Sequence, residues 1–170
     1  MNFESIEYLK SGNLRQKSAY KLLTDIGIFS KLHNYHPILV GTIPLEIDIE
    51  NSDLDIICCW KNEKQFITDL RKHFSKYNEF KINKVADNSK IIITANFSIE
   101  NQEIEIFGQN IPTLEQRAYR HMLTEYRILK EKGDEFKQQI IALKRLGIKT
   151  EPAFAQLLGI SGNPYIELLK

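Results

Sequence analysis

The stretch Asp53-Leu54-Asp55-Ile56-Ile57-Cys58-Cys59-Trp60 constrains the fold most tightly. It alternates acid and apolar at its start and is apolar to its end, the pattern of a strand that is half-buried first and fully buried later. A period of two sends Asp53 and Asp55 to one face and Leu54 and Ile56 to the other. Two carboxylates held that close repel each other unless a proton or a cation lies between them. Such a chain must therefore lay an apolar layer under one side of a sheet. The acid side must face something that neutralises it.

The rest of the pattern predicts what surrounds this strand, taken as Ser52–Trp60. Residues 13–27 read as a helix with Leu14, Ala19, Leu22, Leu23 and Ile26 on its apolar stripe and Gly27 at its end. A short helical stretch over Ile28–Leu32 leads through His36-Pro37 into a strand at Ile38–Val40. Glu63–Tyr77 is helical, with Phe66, Ile67, Leu70 and Phe74 on one side. Strands follow at Phe80–Val85 and Lys90–Ile99 around an Asp87-Asn88-Ser89 turn, then at Glu103–Phe107 after Glu100-Asn101-Gln102. From Pro112 the pattern is helical. Thr113 and Gln116 read as a capping box for a helix to about Lys132 that Gly133 stops. Helices over Glu135–Leu146 and Thr150–Leu158 and a short turn after Pro164 complete the chain. This order predicts an α+β protein with a mixed twisted sheet and flanking helices. Residues 1–110 would form the α/β core, and residues 111–170 a helical region packed on it as one compact unit.

With 170 residues and 42% hydrophobic side chains, the chain is long enough to bury its own core as one domain. A net charge of +1, from 23 basic and 22 acidic residues, excludes a uniformly basic nucleic-acid coat or a polybasic membrane binder. No apolar run approaches the roughly 20 residues of a membrane span, and no secretory leader is visible. Cys58 and Cys59 are adjacent and read as small core residues in a reducing compartment, so a cytoplasmic location is expected. His33, His36 and His73 lack metal-ligand spacing, and Trp60 reads as a packing anchor. The neutral total hides an asymmetry. Residues 41–60 carry Glu46, Asp48, Glu50, Asp53 and Asp55 with no Lys or Arg, a local charge of −5. Residues 111–150 carry nine Lys/Arg against five Asp/Glu, a local charge of +4.

Chemistry concentrates around the acid strand. Hard carboxylate oxygens suit Mg²⁺, which pairs one or two carboxylates with phosphate oxygens of a substrate. Upstream, Gly41-Thr42 offers backbone that a phosphate can approach closely, with a hydroxyl beside it. A third acid stands in Ile104-Glu105-Ile106; Glu103 shares its strand face, but Glu105 alone has apolar neighbours on both sides. Glu46, Asp48 and Glu50 read as a solvated loop or edge strand. Arg117, Arg120, His121, Thr124 and Arg127 recur at helical spacing, a solvated basic face or a phosphate and acceptor contact, with Arg120 and His121 the foremost candidates. Lys144 and Lys149 make a similar claim.

Gly-Thr, an acid–apolar–acid triplet twelve positions later with Ser52 before it, and a further acid on a later strand resemble the nucleotidyltransferase superfamily related to DNA polymerase beta. The resemblance implies that Gly41, Thr42 and Ser52 meet a nucleoside triphosphate donor. It also implies that Asp53, Asp55 and Glu105 are the catalytic carboxylates and hold two Mg²⁺ ions, with the third acid helping to activate the attacking hydroxyl. Many members carry an Arg and a Gly where this chain has Leu45 and Glu46, so either the triphosphate is gripped from elsewhere or the donor differs. GTIPLEIDIENSDLDIIC, EIFGQ, RAYRHM and GIKTEPAFAQLLG also resemble an uncharacterised bacterial family, a domain of unknown function placed near the nucleotidyltransferases. The function so implied is Mg²⁺-dependent transfer of a nucleoside monophosphate to an unidentified acceptor, a small molecule in preference to RNA or protein. The alternative is an inactive module of the same fold that binds a nucleotide, nucleic acid or protein partner.

Overall fold

The computed structural model describes residues 1–87 and 90–170, so the turn expected over Asp87-Asn88-Ser89 lies outside the described residues. Among the described residues, the strands β1 (Ile38–Val40), β2 (Leu54–Cys59), β3 (Asn78–Asp87), β4 (Lys90–Ile99) and β5 (Gln102–Gln109) form one sheet in the order β1-β2-β5-β4-β3. β2 and β5 run parallel and the other neighbours antiparallel, so the sheet is mixed. Parallel neighbours need a long crossover. Here it comprises helix α3 (Glu63–Phe74) and the β3–β4 hairpin. β4 enters β5 through Glu100 and Asn101, whose φ values of 49° and 66° match a two-residue hairpin turn that follows the strand twist.

The alternation of β2 decides the layers. Leu54, Ile56 and Cys58 join Ile104 and Ile106 of β5 and Ile93, Ala95 and Phe97 of β4 in one apolar core. Helices α1 (Leu14–Asp25), α2 (Ile28–Lys31) and α3 cover that face with Leu23, Ile28, Phe66, Leu70 and Phe74. Trp60 packs there as an anchor, and a Cβ on Gly108 would lie 2.2 Å from the Phe66 ring. Cys58 is fully buried, whereas Cys59 points the other way and is half-buried; both thiols are free.

The opposite face has its own core. Ile38 and Val40 of β1, Ile57 of β2, and Leu45 and Ile47 of the following loop pack against Tyr119, Met122, Leu129, Ile140, Ala153 and Phe154. Those last six belong to α4 (Arg117–Arg145) and α5 (Thr150–Leu158), with α6 (Pro164–Glu167) beyond. Helices therefore cover both faces at the β1–β2 end, and the acid-bearing part of β2 and β5 opens beneath them.

Three local expectations change. Leu14 is 84% exposed and leaves the α1 stripe, because the first turn buries Gln16 instead, and Leu14, two positions earlier, lies on the other side of the helix. Thr113 and Gln116 form no capping box; Thr113–Glu115 is a separate 3₁₀ turn. The Gln116 carboxamide donates instead to Cys58 O and Ile111 O at 3.0 and 2.9 Å, which ties the start of α4 to the end of β2. Gly133 interrupts α4 with φ 78° and ψ −169°, a conformation essentially confined to glycine, so the helix is kinked where an end was expected.

A candidate active-site cleft

Between the acid-bearing strands and the helices α4 and α5 lies a cleft of about 1060 Å³. Its floor is built by register. Asp55 sits directly opposite Glu105 across the parallel β2–β5 pair, and Val40 of β1 lies on its other side. Side chains directly opposite in a sheet share a face, so the strand pairing alone places both acids on the open side. Asp53, just before β2, lies on the same floor. Glu103 is exposed and outside the cleft lining, while Glu105 lines it. The Glu105 carboxylate accepts a hydrogen bond from Asn96 Nδ2 at 3.0 Å, which holds it toward β4.

Gly41 closes in on Asp55 from β1. Its φ is 84°, and a Cβ there would sit 2.4 Å from Asp55 Oδ2. Only glycine satisfies both conditions, so the chain can turn against the carboxylate with bare backbone. The loop from Thr42 to Ser52 is then fastened at several points. Ile47 N donates to Thr42 O at 3.1 Å and Ile49 N to Ser52 Oγ at 2.9 Å. Gln16 of α1 donates to Ile43 O at 3.0 Å, and Arg15 to Ser52 O at 2.8 Å. From the other side, Lys144 Nζ donates to Ile47 O at 2.6 Å.

These contacts correct the reading of Glu46 and Asp48 as solvated, whereas Glu50 stays exposed even in its ion pair. Lys137 pairs with Glu46 at 2.6 Å, Arg145 with Glu50 at 2.8 Å and Arg15 with Asp48 at 3.9 Å. The acidic loop and the basic helix therefore meet. Leu45, at the position where a basic residue was sought, is 5% exposed and packs into the second core.

Electrostatics mark the floor as over-charged. Burial first, then the Asp53 and Glu105 carboxylates, push the Asp55 carboxyl up to about 7, against Lys144 and Lys149. Burial pulls the Lys144 ammonium down to about 8, although Asp48, Glu125, Asp53 and Asp55 work the other way. Desolvation is the larger cause and the two neighbouring carboxylates add to it, so a proton or a cation among these acids would relieve Asp55. That donor set, hard oxygens around uncompensated charge, fits a divalent cation such as Mg²⁺.

Gly41, Thr42, Ser52, Asp53, Asp55, Glu105, Arg120, His121 and Lys149 all line this one cleft, although they come from widely separated positions. Arg117 and Arg120 stand exposed at its rim, and Lys149 is exposed where α5 begins. Arg127 is exposed and does not line it, because it lies two turns further along α4 than Arg120; its guanidinium donates to Thr124 Oγ1 at 3.2 Å. His121 is buried, with Nε2 3.1 Å from Tyr165 O.

Glu125 and Glu151 were not singled out from the sequence, yet both line the cleft. Burial and the Glu151 carboxylate raise the Glu125 carboxyl to about 8, with Lys144 opposing. The available signal was the spacing His121-x-x-x-Glu125, one helical turn on one face. Among the described residues, His121, Glu125 and Glu151 are the group whose potential metal-ligand atoms lie within 4.8 Å of one another. Asp53, Asp55 and Glu105 share a floor without closing to that distance.

Solved structures with the same architecture include the Cid1 poly(U) polymerase with MgGTP bound, at 12% identity, TM-score 0.54 and 76% of this chain. The structure of the GLD-2/RNP-8 complex matches at 10% identity, TM-score 0.57 and 92% of this chain. The polymerase core of TRAMP, an RNA surveillance complex, matches at 9% identity, TM-score 0.52 and 92% of this chain. The chain spans 40%, 63% and 49% of those three chains. No curated protein matches it. The likenesses show the fold, the mixed sheet and flanking helices of the nucleotidyltransferases. Residues 21–170 match the family described as Domain of unknown function (DUF4269), and the chain belongs to that family, built on the nucleotidyltransferase fold.

Proposed function

We propose that this protein is a nucleotidyltransferase that moves a nucleoside monophosphate from a nucleoside triphosphate to an acceptor. The observation that supports the reading is that Asp53, Asp55 and Glu105 line one cleft together with Gly41 and Thr42, and that Arg120, Lys144 and Lys149 line the same cleft. Asp53, Asp55 and Glu105 would hold Mg²⁺, which supplies charge stabilisation to the attacking and leaving oxygens of a phosphoryl displacement. The protein's own part is positioning and electrostatics. Gly41 adds no side chain of its own between the backbone and the Asp55 carboxylate, and the Thr42 hydroxyl supplies a donor next to it. Ser52 fixes the loop between them through Ile49 N. Arg120 and Lys149, with Arg117 at the rim, give a triphosphate the positive charge that is absent at Leu45.

Incubation with each of the four common nucleoside triphosphates and Mg²⁺ should release pyrophosphate once an acceptor is supplied. Asp53→Asn or Asp55→Asn should reduce turnover by about a hundred- to a thousandfold with an unchanged circular dichroism spectrum. Full turnover in both Asn variants would sink the proposal. A small-molecule acceptor draws no support from the solved structures, one of which concerns RNA terminal uridylyl transferase activity of Cid1. RNA 3′ ends therefore belong among the acceptors tested.

A second reading rests on Leu45. Its burial leaves no basic side chain at that point of the loop, which fits a module that binds a nucleotide without turning it over. That module would show a thermal shift with nucleoside triphosphate and no pyrophosphate release.

A further inference from the structure

We infer that His121, Glu125 and Glu151 form a second cation site, separate from the floor carboxylates and suited to a transition-metal ion such as Zn²⁺ or Mn²⁺. His121 and Glu125 lie one turn apart on α4 and project from the same face. Glu151 reaches them from the first turn of α5. One ligand atom from each lies within 4.8 Å of the other two. His121 and Glu125 are 5% and 4% exposed, so water solvates neither freely.

The imidazole supplies the independent observation. Nε2 lies 3.1 Å from the carbonyl oxygen of Tyr165, which can only accept, so Nε2 must carry the proton. In the neutral imidazole Nδ1 is then a bare lone pair, and it is buried with no hydrogen-bond partner. A histidine that donates one ring N–H to a backbone carbonyl and offers the other nitrogen as a lone pair is arranged as a metal ligand, with its tautomer and ring orientation already set. Lys144 is the lysine whose charge acts on Glu125, but its ammonium is committed to Ile47 O at 2.6 Å. One nitrogen and two carboxylate oxygens suit Zn²⁺ or Mn²⁺ better than Ca²⁺ or Mg²⁺, which prefer all-oxygen shells.

All three residues line the cleft, so an ion there would have its open side toward the bound substrates. Three protein ligands with an open position are the pattern of a site that also takes an oxygen ligand from solvent or substrate. The ion would also join α4 to α5, and through the Tyr165 carbonyl to α6.

The test uses the full chain carrying Asp53→Asn, Asp55→Asn and Glu105→Gln, stripped with chelator, so that the floor carboxylates are disabled and activity plays no part in the readout. Calorimetric titration with Zn²⁺ should show one equivalent bound. Adding Glu125→Gln or His121→Ala should weaken that binding by at least about tenfold. Glu151 is half-buried at a helix start, so Glu151→Gln leaves the cores intact and should weaken it likewise even if the buried variants fold poorly. Co²⁺ in place of Zn²⁺ should give a visible absorption band that His121→Ala removes. No bound Zn²⁺ in this triple variant, or an affinity that Glu151→Gln and Glu125→Gln both leave unchanged, would overturn the assignment.

Discussion

Asp55 carries a cost that the rest of the cleft does not relieve. Its carboxyl rises from 3.8 to about 7 because it is buried beside Asp53 and Glu105. A folded state that holds this proton more tightly than the unfolded chain gains stability below about 4 and loses it as pH rises through 7. Glu125, raised from 4.5 to about 8, acts in the same direction. Lys144, lowered from 10.5 to about 8, acts oppositely and returns stability only above about 8. Metal-free protein should therefore unfold at lower urea concentration at pH 7.5 than at pH 5, and millimolar Mg²⁺ should narrow that gap at pH 7.5. A midpoint in chelator that rises over the same interval would contradict the electrostatic account. The acid pair and its partner Glu105 were legible as residues, because alternation with apolar neighbours is a local property. The companionship of Glu125 with Glu151 was not, because it depends on how α5 folds back on α4.

At the scale of the elements, two glycines do different work. Gly41 ends β1 with φ 84° and lies against Asp55, whereas Gly133 breaks α4 at φ 78° with nothing within 4 Å of its would-be Cβ. Gly133→Ala should cost about 1–3 kcal/mol from backbone strain alone, read by urea unfolding. Gly41→Ala adds a collision with the carboxylate to a strain of about 1–2 kcal/mol. It should therefore destabilise by more than its strain alone and also displace Asp55, so it should lower pyrophosphate release where Gly133→Ala does not. Equal activity in both variants would show that the Gly41–Asp55 contact is not functional. Element types followed from periodicity and turn residues, because helices and strands are selected by local pattern. The misread α4 start has a long-range cause: the Gln116 side chain is spent on the Cys58 carbonyl, far away in sequence, instead of on its own helix.

For the whole molecule, the neutral total of +1 conceals two opposed regions that the fold brings together. The glue is apolar. Leu45 and Ile47 of the acidic loop are buried with Ile140, Phe154 and Met122 of the helices, while the Arg145–Glu50 pair stays 59% and 69% exposed. Exposed ion pairs contribute little, so a double-mutant cycle on Arg145 and Glu50 should give a coupling below about 1 kcal/mol that shrinks in high salt. A large, salt-insensitive coupling would mean that charge rather than burial seats the loop. No helix among the described residues is long and apolar enough to cross a membrane. What the sequence by itself determined was local: which segments are helix or strand, which face of β2 is acidic, and that Gly41 and Thr42 stand twelve and eleven positions before Asp53. Those follow from side-chain period and backbone conformational preference, which neighbours in the chain settle among themselves. Only the tertiary structure decided that Glu105 lies opposite Asp55, that Lys144 fastens the loop at Ile47, and that His121, Glu125 and Glu151 meet across two helices. Strand order and helix docking come from burying apolar faces that are far apart in sequence, and the polar groups are carried into contact by that packing.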